Sequence, residues 1–315
     1  MKYGFGVDLG GTTVKIAFFD ENGEMLDKWE IPTVTANAGT QILPDIAAAI
    51  QNYISQKEIS KNQLIGIGIG VPGPVDDEGT VNRCTNLGWG VFNIHETLGK
   101  LAGLPVKAGN DANMAALGEA WKGGGTGCEN MVFATFGTGV GGGIVVGGKP
   151  INGVHGAAGE IGHITVQRDE TEPCNCGKYG CVEQYCSATG IVRLAKKRLA
   201  ADETASILRN FENLTCKDVF DAGNTGDTLA LEVLEQVYMY MGQFLATVCC
   251  VTDPEMVVLG GGVSKAGQPL LEGAKRYFDK YIFHASSSIR FALASLGNDA
   301  GAYGAFKLIL NNQVI

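Results

Sequence analysis

The sequence lacks the features of a secreted, membrane-spanning or nucleic-acid-binding chain. It has no excess of positive charge: 24 Lys and Arg stand against 33 Asp and Glu, for a net charge of -9. An acidic chain binds nucleic acid and anionic membranes poorly. No basic segment with a long apolar core precedes the strand pattern at Lys2. The longest apolar stretch, Val237 to Thr252, is shorter than the roughly 18 to 20 residues of a membrane helix. We therefore expect a cytoplasmic protein without nucleic-acid or membrane partners.

We also expect no disulfide framework. The cysteines number nine, which is odd, and the sequence shows no secretory signal, so we expect reduced thiols. Three of them follow His163 closely, as Cys174, Cys176 and Cys181. Three thiolates and one imidazole form the closed four-ligand set that structural Zn²⁺ prefers, so we predict a structural zinc site; free thiols in a loop are the alternative. The apolar segment around Cys249-Cys250 predicts that both thiols lie in the core.

The pattern of strands and helices indicates two α/β halves. Three strands at Tyr3 to Pro32 suggest an antiparallel meander, and a strand, a glycine turn and a strand begin again at Asn130. Further strands are predicted at residues 64–71, 106–110 and 256–259, and helices at residues 42–56, 111–121, 190–202, 227–251 and 301–310. We expect a small first domain at residues 1–118, joined by a C-terminal helix at about 300–315, and a larger second domain at residues 119–299.

Glycine is abundant and clusters in short turns after strands. The turn Asp8 to Thr13 (DLGGTT) offers backbone N–H groups and Thr hydroxyls to a phosphate, and Asp8 a ligand for Mg²⁺. An ordinary hairpin turn explains the same residues. Neither a Walker A loop nor a Rossmann fingerprint occurs. With Gly137-Thr138-Gly139 and Gly260 to Gly262, the turns favour a nucleotide site.

A pair of polar residues, Asn110 and Asp111, opens a predicted helix. Phosphoryl transfer to a sugar needs a carboxylate that accepts the hydroxyl proton, and Asp111 is our candidate. An N-cap is the alternative role for Asp111, and the two roles need not compete. Glu160, His163 and Glu183 lie in glycine-rich surroundings and could accept hydrogen bonds from a polyol, or be solvated surface groups.

Together these motifs resemble the ROK family of repressors, open reading frames and sugar kinases, and within it the bacterial glucokinases. The resemblance covers nearly the whole chain. The motifs that carry it are DLGGT at Asp8, FGTGVGGG at Phe136, EIGH at Glu160, CNCGKYGCVE at Cys174 and the late triple glycine.

The resemblance implies an actin-like, ribonuclease-H-like fold of two α/β domains flanking an active-site cleft, assembled as a homodimer or homotetramer. It implies that Asp111 is the catalytic base and that His163 binds Zn²⁺ with one ring nitrogen and the sugar with the other. The residues implied to bind the sugar are Gly73, Asn86, Asn110, Asp111, Glu160, His163 and Glu183. Those implied to bind ATP and its Mg²⁺ are Asp8, Gly10, Gly11, Thr12, Thr13, Lys15, Gly137, Thr138, Gly139, Gly261 and Gly262.

The function implied is ATP-dependent phosphorylation of glucose to glucose 6-phosphate. Two alternatives stay open: a kinase for N-acetylmannosamine, N-acetylglucosamine, fructose or allose, and a non-catalytic sugar sensor. Repressors of this family carry a helix-turn-helix before the first strand, whereas here that strand opens the sequence, so we expect no such domain.

Overall fold

The structure is a computed structural model that describes residues 1–312. It contains two compact units. The first comprises Met1–Glu129, Gly143–Gly159 and the chain from Leu296 onward, and the second comprises Asn130–Gly142 and Glu160–Ser295. The boundary expected between residues 118 and 119 lies inside a helix of the first unit. Residues 313–315, assigned above to the C-terminal helix, lie outside the described part of the chain.

Within residues 1–312, twelve strands form two five-stranded sheets and one two-stranded ribbon. In chain order they are β1 (Tyr3–Leu9), β2 (Thr13–Asp20), β3 (Met25–Pro32), β4 (Leu64–Val71), β5 (Thr80–Cys84), β6 (Trp89–Asn93), β7 (Val106–Asn110), β8 (Met131–Phe136), β9 (Val140–Val146), β10 (Lys149–Pro150), β11 (Met256–Gly260) and β12 (Arg290–Leu293).

The described residues also form α-helices, two of which are single turns. In chain order they are α1 (Ala36–Gly39), α2 (Ile42–Gln56), α3 (Ile94–Ala102), α4 (Asp111–Lys122), α5 (Glu183–Cys186), α6 (Ala188–Ala201), α7 (Cys216–Asn224), α8 (Thr228–Thr252), α9 (Gln268–Tyr281) and α10 (Ala300–Asn311). In the part of the chain described, none of these helices, α8 included, is long and apolar enough to cross a membrane.

The two sheets share one strand arrangement. The first has the order β3-β2-β1-β4-β7 and the second the order β10-β9-β8-β11-β12. In the first, β1, β2 and β3 pair antiparallel while β4 and β7 follow β1 in parallel; in the second, β8, β11 and β12 are likewise parallel. This confirms the predicted meander, the repeat that restarts at Asn130 and the ribonuclease-H-like architecture.

Glycines let the last helix, α10, lie directly on the first sheet. Strand β4 (LIGIGIGV) is buried along its whole length, and a Cβ atom added to Gly68 would lie 1.7 Å from the Ala305 carbonyl oxygen. On the other side of α10, a Cβ at Gly304 would lie 1.7 Å from the Met114 carbonyl oxygen of α4. Real side chains cannot occupy such positions, so glycine is required at both crossings.

The sequence missed several elements and misplaced one thiol. The ribbon β5–β6, helices α3, α7 and α9 and strand β12 were not predicted. Cys249 is buried as expected, but the expectation for Cys250 was wrong, since Cys250 is exposed. Residues adjacent on a helix point about 100° apart, so an apolar run alone does not bury both.

Candidate active site

Three parallel strands of the first unit end at one edge of its sheet. In the register of the strands, Asp8 of β1 lies beside Gly70 of β4, and Gly70 lies beside Gly109 of β7. The carboxyl ends of parallel strands are where α/β sheets hold ligands. The sequence candidates Asp8, Asn110 and Asp111 therefore come together at this edge.

Asn110, and not Asp111, caps helix α4. The Asn110 side-chain oxygen accepts the N–H groups of Ala112 at 2.9 Å and Asn113 at 3.2 Å, and its backbone is extended, as an N-cap requires. Asp111 is the first helical residue, half-buried, and its Oδ1 accepts the adjacent Ala112 N–H at 2.8 Å. The N-cap alternative for Asp111 was therefore wrong: its carboxylate lies in the first turn, where the helix dipole favours negative charge.

The turn after β4 is attached to Asn110. The Asn110 side-chain NH₂ group donates to the Gly73 carbonyl oxygen at 3.3 Å. Beneath this turn the Cys84 thiol donates to the Pro72 carbonyl oxygen at 2.8 Å. Burial raises the pKa of Cys84, and the negative charge of nearby Asp111 adds to that rise. Asn86 is exposed, on the short 3-10 turn that follows Cys84.

The first glycine turn, between β1 and β2, is open. Gly11 and Thr12 are exposed, and a Cβ atom at Gly11 would meet nothing within 4 Å. Asp8 and Lys15 face each other across this hairpin, with 3.7 Å between the Asp8 carboxylate and the Lys15 ammonium. Burial raises the pKa of Asp8, and the charge of Lys15 opposes that rise. A buried carboxylate beside exposed backbone suits a cation with its phosphates.

The Asp8 carboxylate also lies against the start of α10. A Cβ atom added to Gly301, in the first turn of α10, would lie 2.8 Å from Cγ of Asp8. The absence of a side chain at Gly301 thus makes room for Asp8, and the positive end of the helix dipole faces a negative group. No sequence pattern predicted this contact, because the two residues are far apart in the chain.

In the second unit, His163, Cys174, Cys176 and Cys181 form the expected cluster. Their four ligand atoms lie within 4.8 Å of one another. Sγ of Cys176 is 3.6 Å from Sγ of Cys181, and Sγ of Cys174 is 3.9 Å from Nδ1 of His163. Tetrahedral Zn²⁺ with Zn–S bonds of about 2.3 Å separates its sulfur ligands by about 3.8 Å. The donor set and its spacing therefore fit a zinc ion.

The two ring nitrogens of His163 face different partners. Nδ1 faces the cysteines, whereas Nε2 is 4.0 Å from Oε2 of Glu160. Both Glu160 and His163 are accessible, with side-chain exposures of 58% and 35%. The double role predicted for His163 needs this orientation, in which a metal on one nitrogen fixes how the other is presented, and that role stays a prediction.

Glu183 joins the cysteine loop to the second glycine turn. Its Oε2 accepts the Val140 N–H at 3.0 Å, and its Oε1 lies 3.6 Å from Sγ of Cys174. A Cβ atom at Gly139 would lie 2.3 Å from Oε2 of Glu183, so the glycine is needed for this close approach. Gly137 and Thr138 continue the turn, and their carbonyl oxygens accept from Ala188 and Thr189 at the start of α6.

The third glycine turn lies against the end of β8. Gly261 has φ +81° and ψ -179°, a conformation that is essentially restricted to glycine. A Cβ atom there would lie 2.4 Å from the Phe136 carbonyl oxygen, whereas a Cβ at Gly262 would meet nothing within 4 Å. The second and third turns are therefore neighbours within this unit.

A cavity of about 500 Å³, which the sequence did not predict, opens beside Gly262. Its lining includes Ala188, Phe220, Asn224 and Val263, and is largely apolar. Sequence reasoning missed it because part of its wall comes from α7, a nine-residue helix that was not predicted. Size and lining suit a flat heterocycle.

Comparisons with known proteins show which family the chain belongs to. The model of the ROK family matches residues 4–312. A glucokinase of Halalkalibacterium halodurans is 45% identical over 98% of this chain and 95% of its own length. A glucokinase of Thermotoga maritima is 34% identical over 96% of each chain. The crystal structure of a ROK family glucokinase from Streptomyces griseus, in complex with glucose and AMPPNP, has a TM-score of 0.74 and 33% identity, and covers 97% of this chain and 98% of its own. The chain is a member of the ROK family, and its fold is the actin-like ATPase fold.

Proposed function

We propose that this protein transfers the γ-phosphoryl group of ATP to the 6-hydroxyl of glucose. The observation that carries the proposal is the arrangement of Asn110 and Asp111: Asn110 caps α4, so that Asp111 is held at the carboxyl edge of three parallel strands. The similarity of the chain to glucokinases supports this assignment, and one of those glucokinases was crystallised with glucose and an ATP analogue.

Asp111 acts as the general base. Its carboxylate accepts the proton of the sugar hydroxyl while the hydroxyl oxygen forms a bond to the γ-phosphorus. The bond between that phosphorus and the oxygen bridging to the β-phosphate breaks, and ADP leaves with the electron pair. A carboxylate in the first turn of a helix stays ionised, which is the state that this step needs.

Sugar hydroxyls are bound by carboxylates and by an imidazole. Glu160 and Glu183 accept hydrogen bonds from hydroxyl groups, and Nε2–H of His163, with Nδ1 facing the metal, donates to a hydroxyl oxygen. Asn110 and the backbone at Gly73 also contribute. Asn86, exposed beside Cys84, is a further candidate. A neutral polyol offers many O–H donors, so a set rich in acceptors suits it.

The nucleotide is bound through the three glycine turns. Backbone N–H groups at Gly10 to Thr13 and at Gly137 to Gly139 bind phosphates, and the cavity beside Gly262 takes the base. Asp8 would hold Mg²⁺, directly or through water, with Lys15 adding positive charge near the phosphates. When bound, Mg²⁺ neutralises the charge that develops on the transferred group.

His163, Cys174, Cys176 and Cys181 would hold a structural Zn²⁺. Four protein ligands leave no open coordination position, so the ion would take no part in phosphoryl transfer. Its contribution would be to fix the loop and the imidazole of His163. The homodimer or homotetramer and the two-domain limits given above stay predictions, which light scattering and limited proteolysis would check.

A sugar panel in a coupled ADP-release assay tests the reaction. We expect kcat/KM to be highest with glucose, compared with N-acetylmannosamine, N-acetylglucosamine, fructose and allose. A higher value with one of the others would move the assignment to that sugar. Sugar binding without turnover on any member of the panel would leave the sensor as the function.

Asp111→Asn tests the base. The amide keeps the size of the side chain but cannot take the proton, so kcat should fall by about 10²- to 10⁴-fold while the glucose Kd changes little. Asp45→Asn is the matched control, because Asp45 is a first-turn carboxylate of α2 that only accepts from Gln41. Turnover of Asp111→Asn near that of the control would refute the assignment.

A further inference from the structure

A chain of side-chain hydrogen bonds in the first unit has no part in the roles assigned so far. The Asn152 NH₂ group donates to Oδ1 of Asp77 at 2.8 Å. The Asn113 NH₂ group donates to Oδ1 of Asn152 at 3.1 Å and to the Ile151 carbonyl oxygen at 3.4 Å. The Asn113 backbone N–H donates to Oδ1 of Asn110. The hydrogen bonds thus run without a break from Asp77 to the cap of α4.

This chain closes a ring with the turn after β4. Asp77 and Gly73 lie in the same connection, between β4 and β5, and the Gly73 carbonyl oxygen accepts from Asn110. The turn is therefore tied to the start of α4 twice, directly at Gly73 and through Asn152 and Asn113 at Asp77. Two residues assigned to the sugar, Gly73 and Asn110, are members of the ring, and Asp111 adjoins it.

The chemistry of Asp77, Asn152 and Asn113 determines which group donates and which accepts in each hydrogen bond of the ring. An ionised carboxylate only accepts hydrogen bonds, so Asn152 presents its NH₂ group to Asp77 and its oxygen to Asn113. Asn113 must then present its own NH₂ group to Asn152. Its oxygen is turned the other way, towards Gly143, where a Cβ atom would lie 3.1 Å from it.

This direction has an energetic cost. Asn113 is 1% exposed, and its Oδ1 has no hydrogen-bond partner among residues 1–312. A buried acceptor left unsatisfied is unfavourable, and an apolar side chain of similar size would avoid the penalty. The two bonds that the Asn113 NH₂ group donates offset this penalty. The same two bonds fix the geometry of the groups at the end of the chain.

We propose that Asp77, Asn152 and Asn113 are positioning residues, which hold the turn at Gly73 and the first turn of α4 in one geometry for the sugar hydroxyl. The proposal rests on the assignment of Asp111 and Asn110 to the reaction. It makes the buried amides necessary for sugar phosphorylation although none of them contacts the sugar. Small displacements of reacting groups have large effects on rate, so the ring affects kcat/KM through Asp111 and Asn110.

Asp77 allows a matched pair of variants, because its side chain is at the surface. Asp77→Ala removes the acceptor and breaks the ring. Asp77→Asn keeps an oxygen that can still accept from Asn152. We expect kcat/KM for glucose to fall at least tenfold in Asp77→Ala, with KM for ATP unchanged, and to recover most of its value in Asp77→Asn. Equal losses in the two variants would mean that the charge of Asp77 matters and would overturn the proposal.

Asn113→Leu breaks the ring at a buried member. It removes the unsatisfied acceptor but also the NH₂ group that donates to Asn152 and Ile151, so Tm should fall modestly. Assayed well below Tm, kcat/KM for glucose should still fall by about tenfold or more, whereas a merely structural role predicts a lower Tm with kcat/KM retained. In the double variant with Asp77→Ala the losses should not add, because both changes break one ring; additive losses would contradict the ring.

Two controls distinguish the possible failures. Asn22→Ala removes an Asn–Asp pair elsewhere in the first unit, at Asp20, and should leave kinetics unchanged. If the unmutated protein turns over no sugar, the proposed reaction has failed. The variants are then compared with the unmutated protein by their glucose Kd, measured by calorimetry, because the ring contains residues assigned to the sugar. If the unmutated protein is active and Asp77→Ala and Asn113→Leu match it, the positioning role alone has failed.

Discussion

Substitution by alanine at two adjacent glycines should lower the unfolding free energy at Gly261 and leave it unchanged at Gly262. Gly261 has φ +81° and ψ -179°, and a Cβ atom there would lie 2.4 Å from the Phe136 carbonyl oxygen. A side chain in this backbone region costs about 1–3 kcal/mol, and the contact with backbone adds about 1–3 kcal/mol. Gly262 is exposed and has no atom within 4 Å of the added Cβ. Alanine there should leave the unfolding free energy unchanged.

The magnitude for Gly261→Ala follows from the size of its unit. A loss of about 2–6 kcal/mol in a unit of roughly 150 residues corresponds to a fall in Tm of about 4–24 °C. Gly262→Ala should keep Tm but raise KM for ATP several-fold, because its methyl group would occupy space beside the base cavity. Thermal unfolding followed by circular dichroism and an ATP titration measure the two quantities. A Tm for Gly261→Ala within about 2 °C of the unmutated protein would refute this reading of the backbone.

Three further perturbations have expected outcomes. Burial lowers the pKa of His95 to about 4, and its imidazole accepts the Ala108 N–H. The stability that neutral His95 contributes is complete above pH 6.5 and is lost as the pH falls towards 4. His95→Gln should therefore flatten that part of the pH dependence of the unfolding free energy, measured by urea titrations. Gly301→Ala places a methyl group about 2.8 Å from Cγ of Asp8. The Mg²⁺ concentration that gives half of the maximal rate should therefore rise several-fold. An unaltered Mg²⁺ dependence would count against the role of Asp8. Cys176→Ser should lower bound zinc and Tm, and a full zinc complement by elemental analysis would exclude this cysteine as a ligand.

Local patterns predicted the parts of the fold that local chemistry determines. The meander β1–β3 was predictable because β-rich runs are separated by turn residues, and α4 because a capping residue precedes an Ala-rich run. The cluster of His163 with three cysteines was predictable because the cysteines lie within eight residues. Helix α7 was missed because its buried face is short and its glycine and polar residues resemble a loop.

The parts of the site that depend on distant residues could not be predicted. Asn110 and Asp111 are both good N-caps, and the end of β7 decides which of them caps α4. The hydrogen bond from the Val140 N–H to Glu183 connects two segments that are distant in the chain, and no sequence pattern relates them. The same holds for Asn152, whose partners Asp77 and Asn113 precede it by tens of residues.

The position of α10 has a consequence for the order of folding. This helix completes the first unit, where Gly68 and Gly304 bring it into contact with β4 and α4, although the second unit is encoded almost entirely before it. During synthesis the second unit can therefore acquire all its residues while the face of β4 is still uncovered. Domains fold as units while the chain emerges from the ribosome. The first unit, the part with Asp111, therefore closes only after every residue of the second unit has been synthesised.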